Sequence, residues 1–107
     1  MNKPPGSDDK RAQTRVATGP DDYVIYNGLR VPLRNWSQVG LMFGPMGLPP
    51  LVGQKLELKV QVKYRDGRLR FDATGEVVRV DKGMVAARYE CSAPETVLQI
   101  KAYFSDK

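Results

Sequence analysis

Leu56, Leu58, Val60, Val62 and Tyr64 alternate with Glu57, Lys59, Gln61 and Lys63, the period-two pattern of a strand with one buried and one wet face. Asp66-Gly67 is expected to turn the chain, and Leu69, Phe71 and Ala73 resume the alternation, which makes a long hairpin. Gly75 is expected to mark a bend or bulge before a strand at Val77 to Val80. Lys82-Gly83 supplies another tight turn, and Val85, Ala87 and Tyr89 alternate beyond it. Upstream, Tyr23 to Tyr26 and Leu29 to Leu33 flank Asn27-Gly28, a dipeptide suited to a type I′ turn because both central positions need positive φ. Pro32 cannot donate to a ladder, so that strand lies at an edge or points this position away from a neighbour. Leu41 to Phe43 reads as one more short strand, and Gly44 to Pro50 as a turn-rich connection. About six strands joined by short turns predict an all-β fold, a small antiparallel barrel or sandwich.

The last segment changes character. Ser92 and Glu95 have capping-box spacing, Pro94 falls in the first turn, and the remainder lacks glycine and proline. A short helix over 92–104 is expected, with Val97, Ile100 and Phe104 on one face closing an end of the barrel. At the other end of the chain, Met1 to Asp9 is polar and patternless and reads as a disordered tail. Residues 10–19 form a basic, hinge-like lead into a barrel over 20–91. A chain of 107 residues accommodates one such domain.

Composition narrows the function. Eight prolines and ten glycines fit the turn-rich reading, and 41% apolar residues suffice for a modest core. Seventeen Lys and Arg against twelve Asp and Glu leave a formal charge of +5, which favours anionic partners. The absence of histidine removes the commonest general base and metal ligand, and one cysteine, Cys91, can build neither a disulfide nor a zinc site. No HExxH, GxSxG or Walker-type glycine loop is present. These features argue against an enzyme, a metal centre and a bound cofactor. The apolar stretches are too short to span a bilayer, and the lack of a leader pattern points to the cytoplasm.

Two motifs carry candidate chemistry. Arg11-Ala12-Gln13-Thr14-Arg15 fits Arg-x-x-x-Arg, and Asn35-Trp36-Ser37-Gln38-Val39-Gly40 fits Asn/Asp-x-Ser-x-x-Gly about 20 residues downstream. The first pattern recurs at Arg30 and Arg34 and is weak alone, so order and distance carry the weight. Together the motifs resemble the PilZ family. That resemblance implies a six-stranded barrel preceded by a flexible basic segment and followed by a helix, with both motifs clamping cyclic di-GMP on the barrel's outer surface.

The chemistry of that ligand suits these residues. Arginine's fork of donors matches phosphate oxygens and the guanine O6/N7 edge alike, the role expected of Arg11 and Arg15. Asn35 offers a neutral acceptor to guanine N–H groups where many family members use Asp. Ser37 brings a short hydroxyl, and Gly40 permits close approach. Lys10, Arg34, Trp36, Arg79 and Arg88 are further candidates. Against each stands a structural alternative: a solvated strand face for Arg30, Arg34, Arg79 and Arg88, an Asx-type turn for Asn35 and Ser37, and a core or rim position for Trp36.

Three functions compete. The first is a cyclic di-GMP receptor coupled to a protein partner or fused output such as exopolysaccharide synthesis or motility. The second is a ligand-free adaptor of the same fold. The third is a nucleic-acid-binding barrel, which would want several exposed aromatics on one sheet face; Tyr64, Phe71 and Tyr89 fall instead on the apolar faces.

Overall fold

The structure, a computed structural model, describes residues 16–105. The tail over 1–9 and the candidates Lys10, Arg11 and Arg15 lie outside the described residues. The described residues form seven strands and one helix: β1 (Val16–Ala17), β2 (Tyr23–Tyr26), β3 (Leu29–Trp36), β4 (Gly40–Phe43), β5 (Lys55–Tyr64), β6 (Gly67–Asp81), β7 (Met84–Glu90) and α1 (Pro94–Ser105). All strand pairs are antiparallel, in the order β3-β2-β5-β6-β7-β4, and β4 pairs back onto β3. Six strands therefore close into a barrel, the first of the two architectures that the alternation allows, and the closure leaves no long free edge.

The two residues of β1 add a short extension. Val16 pairs with Trp36 and Ala17 with Asn35, on the edge of β3 that β2 has already left. The Thr18 hydroxyl donates to the Leu33 carbonyl, and Leu33 N donates to Asp22 O at 3.1 Å, so the chain stays stitched to β3 between β1 and β2. Pro32 sits inside a barrel strand without disturbing it. Its carbonyl accepts from Gly44 N on the β4 side, where ladder pairing begins only at Leu33, so its missing N–H faces the end of that ladder.

Turn chemistry explains most connections. Asn27 and Gly28 have φ of 52° and 77°, and Lys82 and Gly83 have 53° and 82°, the left-handed pairs that tight hairpins require. The β5–β6 hairpin turns on Arg65-Asp66, one residue earlier than expected: Arg65 takes φ of 55°, and Gly67 already pairs with Tyr64. Strand β6 runs unbroken through Gly75, which pairs with Leu56 on one side and Tyr89 on the other. A Cβ there would lie 3.3 Å from both the Arg88 carbonyl and Leu58 Cδ1, so Gly75 serves close packing. The irregularity expected near it falls instead between Val77 and Arg79.

Inward side chains of all six barrel strands form one core that includes Val24, Leu33, Phe43, Val62, Val77 and Val85. Each such buried side chain contributes about 1.5–3 kcal/mol. Helix α1 lays Ile100, Tyr103 and Phe104 over one end. Trp36, with no exposed surface, meets Tyr103 and Phe104 at centroid distances of 4.9 and 4.7 Å, so the last inward residue of β3 anchors the helix. Val97 is 38% exposed and takes little part in that face, whereas Tyr103 is a principal contact. The helix starts at Pro94, with the Ala93 carbonyl accepting from Thr96 N and Val97 N, so Ala93 rather than Ser92 occupies the cap position.

Candidate ligand-binding turn

Strand β3 carries the second motif into the turn that leads to β4. A bulge between Leu33 and Asn35 breaks the register, so Arg34 and Asn35 both leave the core side while Leu33 and Trp36 point inward. The exposed Arg34 donates through Nε to Gly44 O at 2.9 Å. Half-buried Asn35 lies between Ala17 of β1 and Met42 of β4, and its Nδ2 is 3.9 Å from Met42 Sδ.

The turn itself is held from within. Ser37 N donates to Gly40 O at 2.8 Å, and Ser37 Oγ accepts from Gly40 N at 3.2 Å and Val39 N at 3.3 Å. Ser37 is 1% exposed, so its hydroxyl shapes the turn and does not face solvent. From β7, the Tyr89 hydroxyl donates to Ser37 O at 2.7 Å, and Tyr89 N donates to Val39 O at 3.1 Å. Burial, with a smaller contribution from Cys91, raises the Tyr89 phenol far above its ordinary value, which keeps this donor protonated. Burial, and then the Asp72 carboxylate, also push the Cys91 thiol up.

Around this turn the barrel presents one outer surface. In register, Asn35 neighbours Met42, Met42 neighbours Ala86, and Ala86 neighbours Arg79. Gly40, buried and paired with Arg88, begins β4. Arg88 reaches Glu76 Oε1 at 3.2 Å, with 68% of its side-chain surface still exposed. The fold thus gathers Asn35, the Gly40 backbone, Arg79 and Arg88 on one side. It withdraws Trp36, which lies wholly in the core and cannot stack on a base. Tyr89 is the residue that alternation misses: its position reads as core, and nothing in the sequence reveals that its hydroxyl fastens the turn.

Among the described residues no cluster of three metal-ligating side chains occurs, and no helix is long and apolar enough to cross a membrane.

A closed six-stranded barrel with a helix across one end is the architecture expected from the resemblance to PilZ domains. No family model matches the chain, and no curated relative matches it in sequence. Among solved structures it is similar to the Bacillus subtilis inhibitor of motility, MotI/DgrA, with a TM-score of 0.69 and 17% identity. The match covers 90% of this chain and 50% of that one, so the chain spans about half the length of the protein it matches. The two share a fold.

Proposed function

We propose that the chain is a non-enzymatic receptor for cyclic di-GMP, which it binds between the segment bearing Arg11 and Arg15 and the outer face at Asn35 and Gly40. The pairing of β1 with β3 supports this reading: Ala17 opposite Asn35 brings the stretch that follows Arg15 in sequence alongside the second motif. Arg11 and Arg15 supply forks for phosphate and the guanine Hoogsteen edge, and Lys10 adds charge. Asn35 addresses the guanine N–H edge, while Arg34, Arg79 and Arg88 add positive potential. Ser37 acts through the turn it holds.

Messenger binding would then change how the basic segment lies on the barrel and so alter a surface read by a partner or fused output in the cytoplasm. The shared fold with an inhibitor of motility supports motility control as a candidate output. The burial of Ser37 and Trp36 supports a second reading, an adaptor in which the motif is structural and binds protein alone.

Isothermal titration separates the two. Cyclic di-GMP should bind at micromolar affinity or tighter, GTP should not compete, and Arg15→Ala should weaken binding roughly 10- to 100-fold, the worth of a charge-assisted contact. No heat at any reachable concentration would overturn the receptor reading in favour of the adaptor.

A further inference from the structure

Four basic side chains line one face of this barrel, away from the Asn35 turn. Strands β3, β2, β5 and β6 border a broad, open trough of about 940 Å³ lined by Arg30, Lys63, Arg68 and Arg70, with Asp21 and Asp66 as its carboxylates. None of the four cations has a carboxylate partner among the described residues. Two cations outside the trough, by contrast, have carboxylate partners: Lys59 meets Asp72 and Arg88 meets Glu76, each at 3.2 Å.

Two of the trough's arginines are held in place by neutral groups. The Arg30 guanidinium lies 3.8 Å from the Tyr23 ring centroid. Arg70 Nε donates to Gln61 Oε1 at 2.8 Å, and the same oxygen accepts from the Tyr23 hydroxyl at 2.9 Å. Gln61, 6% exposed on a strand face whose pattern reads as wet, completes the brace by donating to Asp21 O at 3.2 Å. The nearest buried acid, Asp22, is occupied by backbone donors: Gly19 N at 3.0 Å and Lys63 N at 2.8 Å. The arginines are therefore ordered before any partner arrives, while their terminal nitrogens stay available, which lowers the entropic cost of an ion pair.

We infer that this trough is a docking surface for an acidic segment of a partner protein. Guanidinium forks pair with carboxylates in two-pronged geometry. Nucleic acid suits the site less well. The one tyrosine that lines it, Tyr23, already carries Arg30 on its ring, so bases find no stacking platform there. Asp21 and Asp66 also oppose a ladder of evenly spaced phosphates, whereas a peptide can set neutral residues against them. The surface is distinct from the proposed messenger site: around the closed barrel, β5 lies across from β4.

The test is fluorescence anisotropy at low ionic strength, with labelled oligoglutamate as the probe and an oligothymidylate of equal charge as its rival. Oligoglutamate should bind the full chain, and both R30Q/R70Q and K63Q/R68Q should weaken it by about tenfold or more. K55Q/K101Q removes the same charge from exposed lysines outside the trough and should weaken it by less than about threefold. The Lys63 and Arg68 side chains make no hydrogen bond among the described residues, so K63Q/R68Q decides the matter even if loss of the Arg70 brace disturbs folding. Cyclic di-GMP titrations should be unchanged by K63Q/R68Q. The inference is overturned by absent binding, by equal losses in all three variants, by tighter binding of oligothymidylate, or by loss of messenger binding in K63Q/R68Q.

Discussion

At the scale of single residues, Tyr89 shows how a core position can fix a surface turn. Its ring packs against Phe71 at 6.0 Å, and its hydroxyl satisfies the buried Ser37 carbonyl. Tyr89→Phe preserves the packing and orphans that carbonyl, so urea denaturation should show a loss of about 1–3 kcal/mol. The pH dependence follows from the raised phenol. In the unfolded chain Tyr89 titrates near about 10, and in the fold it holds its proton to higher pH. Its contribution to stability is therefore complete below pH ~10 and falls as pH rises above that value, because only the unfolded state then releases the proton. Tyr89→Phe should flatten the alkaline arm of the stability profile relative to the parent protein. Sequence alternation places Tyr89 inside the barrel, yet it cannot assign a partner to a hydroxyl. The same limit applies to Ser37, whose residue type suits a ligand contact and a turn equally, and to Gln61, whose neighbours in space come from strands far away in sequence.

Elements were legible where a residue type imposes its own geometry. Asn27-Gly28 and Lys82-Gly83 announce hairpins because glycine tolerates the left-handed region at little cost. Arg65 does not, and the more conventional Asp66-Gly67 dipeptide drew the expected turn one residue too far along. The bulges before Asn35 and around Val78 have no residue signature at all; they arise from the need of a closing sheet to bend, and a glycine at 75 looked like the better candidate. In the candidate site, the outward position of Asn35 depends on a bulge that periodicity cannot reveal, and of the two readings open for Trp36 the fold takes the core one. The connection after β4 offers a direct test. Gly44 has φ of 136°, and a Cβ there would lie 2.8 Å from the Gly83 carbonyl, a backbone atom of the β6–β7 turn that cannot swing aside. Gly44→Ala should cost about 2–3 kcal/mol in chemical denaturation, whereas Gly47→Ala, with nothing near its Cβ and no left-handed φ, should cost far less.

The whole molecule divides its labour around a closed wall: one side bears the Asn35 turn and the attachment of β1, the other a trough of ordered cations, and α1 seals an end between them. Closure matters for this division, because a cylinder without long free edges keeps both surfaces at fixed separation. Trp36 stands where the turn and the helix share a side chain, with its backbone in the motif and its indole among Phe71, Tyr103 and Phe104. It is also the chain's single tryptophan. The protein therefore carries a native optical probe at the junction of its proposed input and its end cap. A dry indole should emit well to the blue of one in water and resist quenching by acrylamide, and a shift in that emission on adding cyclic di-GMP would report, without any label, that the message has reached the helix.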